Sequence, residues 1–129
     1  MPTMRTFSIV LVVALAACSK ASPPPEEEEP ARTSPAADEA RQLFNTVCAT
    51  CHGADGKGTG AAAASLNPKP RDYTDKAWQT ATTDDQIRNI ILLGGPGVGK
   101  SAMMPAQPQL KDKPLVVEEL VHIVRSFGK

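Results

Sequence analysis

Cys48-Ala49-Thr50-Cys51-His52 is the stretch on which the reading of this chain turns. Two thiols stand two residues apart, with an imidazole directly after the second. This C-x-x-C-H spacing lets each sulfur reach one vinyl group of a porphyrin, giving two thioethers, and points the imidazole at the iron from one face. Other uses of a C-x-x-C pair fit less well. A thioredoxin-like redox pair needs a βαβ surrounding, and no run here alternates as strands do. A zinc site needs further ligands, and the only other Cys and His are Cys18 and His122. The pair is therefore read as the attachment point of one haem c, held through Cys48 and Cys51, with His52 as an iron ligand.

Working outward, the residues before the motif predict a helix over 35–47. Ser34 can cap it, Pro35 suits its first position, and Asp38 and Glu39 favour its positive end. Ala36, Ala40, Leu43, Phe44 and Val47 fall at helical spacing. The motif thus sits at a helix end, where the chain can turn under a ring. Residues 53–70 carry Gly53, Gly56, Gly58, Gly60, Pro68 and Pro70. A loop of that length inside a small domain makes sense if it wraps something other than protein. A second helix is predicted over 84–93: Thr83 and Gln86 make a capping box, Ile87, Ile90 and Ile91 share a face, and Gly94 stops it. A third runs over 114–127, from Pro114, through Val116, Leu120, Ile123, Val124 and Phe127, to Gly128. The fold expected is all-α, about three main helices with long loops.

A second iron ligand should lie well downstream. Met103-Met104-Pro105 supplies a thioether, which would complete six-coordination and raise the iron's potential. Met104 is preferred because Pro105 restrains it to an extended conformation, leaving Met103 to pack. His122 is the alternative ligand, but it is displaced from the apolar stripe of the third helix and reads as an ordinary, partly exposed His.

These residues together resemble the small bacterial class I c-type cytochromes over essentially all of residues 35–129. The resemblance is carried by Leu43-Phe44, by Cys48-Ala49-x-Cys51-His52-Gly53, by Asp55-Gly56-x-Gly58, by Met104-Pro105, and by Leu120-Val121-x-Ile123-Val124-Arg125-Ser126. It implies an all-α fold in which the first and last helices cross closely and one haem sits between them with an edge exposed. It also implies one-electron transfer rather than catalysis, with redox proteins as donors and acceptors. Two positions depart from the pattern. Ala40 stands where the family usually has Gly at the helix crossing, and Ile123 stands in place of an aromatic partner. The two changes compensate in size. The resemblance further suggests that a Pro carbonyl, of Pro68 or less favourably Pro70, accepts a hydrogen bond from the ligating His. Arg71, Tyr73 and Trp78 are the candidates to meet the haem propionates, Arg as a fork and Tyr and Trp as single donors.

One motif is a decoy. Gly94-Gly95-Pro96-Gly97-Val98-Gly99-Lys100-Ser101 matches the P-loop pattern letter for letter. The phosphate cradle needs a strand before it and a helix after it. Here a helix precedes it, and Met104-Pro105 and Pro108 oppose a following one. No nucleotide is expected, and the stretch reads as a flexible connection that swings Met104 over the iron. Nor is nucleic acid a partner, because 14 basic residues balance 14 acidic ones.

The N-terminus is set apart from the fold. Arg5 precedes an apolar run, Phe7 to Ala17, too short to span a bilayer. It ends Leu15-Ala16-Ala17-Cys18, which resembles the lipobox of bacterial lipoproteins. The organisation expected is a signal peptide over 1–17, an acylated Cys18 with a disordered Pro- and Glu-rich tether over 18–34, and a haem domain over 35–129. The whole reads as a lipid-anchored, monohaem electron carrier of the bacterial cell envelope, periplasmic or surface-exposed, docking at the haem edge near Cys48 and Cys51. A haem-bearing subunit of a larger oxidase or dehydrogenase, or a haem enzyme or gas sensor, are the other readings.

Overall fold

A computed structural model describes residues 33–129. The expected signal segment, Cys18 and most of the expected tether lie outside the described residues. Five α-helices follow one another: α1 (Pro35–Leu43), α2 (Ala49–His52), α3 (Lys76–Ala81), α4 (Asp84–Gly97) and α5 (Pro114–Ser126). A π-helical turn, Phe44–Cys48, joins α1 to α2, and short 3-10 turns occur at Ala63–Ser65 and Pro108–Leu110. Among the described residues there is no strand, and no helix is long and apolar enough to cross a membrane.

The helix starts follow from their caps. The Ser34 hydroxyl accepts from the Ala37 N–H at 3.1 Å, with Pro35 in the first turn. At α4 the Thr83 hydroxyl accepts from the Gln86 N–H, and the Gln86 side chain accepts from the Thr83 N–H. Both match expectation. The first helix differs at its end, because helical backbone continues past residue 47 to His52. The Ala49 N–H donates to the Phe44 carbonyl, five residues back. That wider turn carries Cys48 at its end and the motif beyond it, in keeping with the tendency of π turns to mark functional sites. Gly53, with φ of 78°, ends the rod. The helix α3 was not expected. Asp75 starts it by accepting from the N–H groups of Ala77 and Trp78.

The core lies between α1 and α5, the most extensive helix pairing in the molecule. Small residues on α1, Ala37 and Ala40, are buried against a domain whose α5 buries Val116, Val117, Leu120, Val121 and Val124. Ala40 is fully buried and Ile123 packs at the core's edge, so the helix pair forms with both substitutions in place. Each such aliphatic side chain contributes about 1.5–3 kcal/mol on burial. Phe44, Tyr73, Ile87 and Leu110 extend the core toward the loops. Arg88 joins α4 to α5 through a two-point pairing with Glu118, at 2.7 and 2.9 Å.

Candidate functional site

A cavity of about 630 Å³ opens beside this core, within the range of roughly 300–1,000 Å³ usual for cofactor sites. Apolar side chains from the π-helical turn, α4 and α5 line it, among them Phe44, Ile87, Ile91, Leu120 and Val124. The helical rod contributes Cys48, Cys51 and His52, and the loop after α4 contributes Met103 and Met104. Pro68, Arg71, Tyr73 and Trp78 line it too, so every expected site residue of the haem domain borders one space.

His52 is 8% exposed, and both of its ring nitrogens have partners. Its Nδ1 lies 3.1 Å from the Arg71 carbonyl, and its Nε2 lies 3.1 Å from the Tyr73 hydroxyl. A carbonyl can only accept, so Nδ1 carries the proton and Nε2 presents its lone pair. This is the tautomer that a metal bond at Nε2 requires. Burial lowers the pKa of the imidazole and favours its neutral form, against a smaller opposing effect of the Arg71 carbonyl. The Tyr73 ring stacks on the imidazole at 4.5 Å between centroids.

The orienting carbonyl therefore belongs to Arg71, where Pro68 or Pro70 had been expected. The reason is in the packing of the loop. A side chain on Gly58 would stand 2.4 Å from the Pro70 carbonyl oxygen, and Gly58 has φ of 71°. With no side chain there, residues 70–71 lie directly on the turn that follows the motif. That turn is closed by the Gly58 N–H donating to the His52 carbonyl. Pro68 remains a lining residue.

Of the residues expected to meet propionates, Tyr73 is buried with its hydroxyl turned to His52, not outward. Arg71 is exposed, lies 5.8 Å above the Trp78 ring and faces Asp75 at 3.7 Å. Trp78 is half-buried against Tyr73. Arg71 and Trp78 thus sit together at the edge of the cavity.

Cys48 and Cys51 form no disulfide. Burial pushes the Cys48 thiol up to about 11, so it is a neutral thiol at neutral pH. Among the described residues no three His, Cys, Asp or Glu side chains gather as a metal cluster does.

On the loop side, Met104 is half-buried and Met103 is 57% exposed. The glycine-rich stretch before them, expected to be a flexible connection, makes close backbone contacts at Gly94 and Gly95. Gly94, with φ of 69°, breaks α4, and one further turn continues to Gly97. The Gly95 N–H donates to the Met104 carbonyl at 2.9 Å, and the Lys100 N–H donates to the Gly95 carbonyl at 2.7 Å. A side chain on Gly95 would lie 1.7 Å from the Ser101 carbonyl oxygen. Gly94 and Gly95 serve close backbone approach, and among the described residues neither the strand before nor the helix directly after a phosphate cradle is present. His122 is exposed on α5 and does not line the cavity.

The model of the family described as Cytochrome c matches residues 37–120. The chain belongs to the cytochrome c family. The structure is also similar to a solved structure, KustC0563 c-type cytochrome, at 34% sequence identity and a TM-score of 0.52. That similarity covers 70% of this chain and 98% of the other. No curated protein matches. As a cytochrome c, the chain binds haem c covalently, and Cys48 and Cys51 have the spacing for it. The residues present fit that group: two unpaired thiols, an imidazole in the metal-binding tautomer, and an apolar cavity between them and two thioethers. The family's work is electron transfer through haem.

Proposed function

We propose that the protein is a one-electron carrier with His52 and Met104 as the axial ligands of a single haem c, anchored to a bacterial membrane through acylated Cys18. The observation that supports the ligand assignment is the tautomer of the His52 ring, with Nδ1 donating to the Arg71 carbonyl, which puts the lone pair on Nε2. Bound haem supplies an iron that accepts and returns one electron without making or breaking a bond in any substrate. The chain's residues hold the geometry across that exchange. The Arg71 carbonyl keeps the imidazole proton on Nδ1. Nε2 would be the atom to hold the iron, in place of the Tyr73 hydrogen bond it makes here, and the Tyr73 ring stacks on the imidazole. Phe44, Ile87, Leu120 and Val124 exclude water, which favours the less charged iron state and raises its potential together with the Met104 thioether.

Donor and acceptor proteins would dock at the mouth of the cavity. Val47, next to Cys48, is 41% exposed, and both it and Met103 line that mouth. Two exposed apolar residues suit a small, transient contact. Lipid anchoring rests on Leu15-Ala16-Ala17-Cys18, and places the domain in the cell envelope.

The test is a redox titration of the matured protein, repeated under carbon monoxide. A reversible one-electron wave, with no carbon monoxide adduct of the reduced form at neutral pH, is expected. Ready carbon monoxide binding would overturn the two-ligand carrier in favour of a sensor or enzyme. Replacing Cys18 by Ser should move the haem from the membrane to the soluble fraction.

A further inference from the structure

We infer that Gln79 is a positioning residue for the His52 imidazole, acting through the Arg71–Tyr73 segment. This rests on the reading of His52 as an iron ligand.

Gln79 lies on α3, away from the C-x-x-C-H motif. Its Nε2 donates to the Tyr73 carbonyl at 2.7 Å and to the Val124 carbonyl at 2.9 Å. Its Oε1 accepts from Arg125 Nη1 at 2.9 Å, and its main-chain carbonyl accepts from the same nitrogen at 2.7 Å. Both amide hydrogens and the amide oxygen are therefore committed. The amide cannot be flipped, because its oxygen would then face two carbonyls. Arg125 is itself fixed, donating through Nε to Asp84 at 2.7 Å and through Nη2 to the Thr82 carbonyl at 2.5 Å. Room for the amide comes from Gly128, where a side chain would stand 2.7 Å from Gln79 Cδ.

The consequence reaches His52 through three residues of backbone. Tyr73 is held on its other side too, its N–H donating to the Gly56 carbonyl at 2.7 Å. Two residues earlier, the Arg71 carbonyl accepts from His52 Nδ1. Tyr73 itself stacks on the imidazole. One amide thus ties to α5 the segment that carries both the acceptor and the stacking partner of the ring. Val124, the α5 end of that tie, lines the same cavity. Without the amide, the Tyr73 carbonyl loses its partner, and the N–H bond to Gly56 is the main-chain tie that remains at Tyr73. The ring would then turn with the Arg71 carbonyl it follows.

The experiment uses the matured, haem-loaded protein and compares wild type with Gln79→Met. Ferric proton NMR reports the orientation of an axial imidazole in the spread of the haem-methyl shifts. Solvent exchange of the His52 Nδ1–H reports its hydrogen bond. Gln79→Met should change the methyl spread and speed that exchange by about fivefold, the factor governed by one ordinary hydrogen bond. Thr80→Ala, at the exposed neighbouring position on the same helix, is the matched control and should leave both readouts as in wild type. If Gln79→Met does not fold, Gln79→Glu keeps the acceptor for Arg125, lacks the donors, and is read by the same criteria. Wild-type values in the Gln79 variant, or equal changes in Thr80→Ala, would overturn the inference. Absence of hyperfine-shifted His52 signals in wild type would instead overturn the ligand reading beneath it.

Discussion

The two sides of the cavity are built by different means. On the helical side, the His52 side chain itself is held: one ring nitrogen donates to a carbonyl, the other accepts from a phenol, and a ring stacks on its face. On the loop side, it is the main chain around Met104 that is held. Its carbonyl accepts from the Gly95 N–H, its N–H donates to Ser101, and Gln107 ties the loop to Ile91. The difference suits the two proposed iron ligands. An imidazole is planar and has two inequivalent nitrogens, so both its tautomer and its plane must be set. A thioether on three rotatable bonds needs only its backbone brought within reach.

The largest effect should come from removing the covalent link on the helical side. Replacing Cys48 and Cys51 together by Ser should leave no haem attached on a denaturing gel stained for haem, whereas Met104 variants keep it. Haem retained through denaturation in the double variant would contradict attachment at these thiols.

Alanine at two glycines separates the sides further. Gly95→Ala meets the Ser101 carbonyl, and Gly58→Ala meets the Pro70 carbonyl at an unfavourable φ. Each should cost about 1–3 kcal/mol in denaturant unfolding. Gly95→Ala should weaken the spectral signature of the methionine ligand while the His52 Nδ1–H exchanges as in wild type. Gly58→Ala should do the reverse. Identical spectral changes in both would show that the sides are not independent.

The smallest effect concerns the helices behind the cavity. The hydrogen bond from Arg88 holds the Glu118 carboxyl below the usual carboxylate range. Its folded pKa lies below the unfolded one. The stabilisation is therefore present at neutral pH, begins to fall near the ordinary Glu value of about 4.3, and is gone below the depressed folded value. Glu118→Gln should lower Tm slightly at neutral pH and flatten this acid-side loss. As an exposed pairing it should leave the spectra of both cavity sides unchanged.

Much of this was legible in the sequence because it lies in short-range patterns. Ser34, Thr83 with Gln86, and Pro114 mark helix starts by local chemistry, and C-x-x-C-H states its spacing directly. The apolar stripes of α4 and α5 located the core, though not that Ile87, Leu120 and Val124 also line the cavity. What was not legible depends on contacts distant in the chain. The carbonyl that meets His52 is a main-chain atom of Arg71, and no side-chain identity announces it. Pro68 attracted the expectation by type, yet the close approach at Gly58 decides the register. The helix α3 is short, and its one signal was the Asp75 cap. The close backbone contacts of Gly94 and Gly95 were not legible, because Gly composition does not distinguish freedom from tight backbone packing.

The most direct test of the two-sided site is the visible spectrum of the matured protein in both oxidation states, for wild type, Met104→Ala and Met103→Ala. Wild type should show sharp reduced α and β bands and the weak long-wavelength ferric band of a methionine-ligated haem. That ferric band should vanish in Met104→Ala and persist in Met103→Ala. A band that survives Met104→Ala, or is absent from wild type, would contradict the assignment of Met104. Matured protein with no haem at all would contradict the account as a whole.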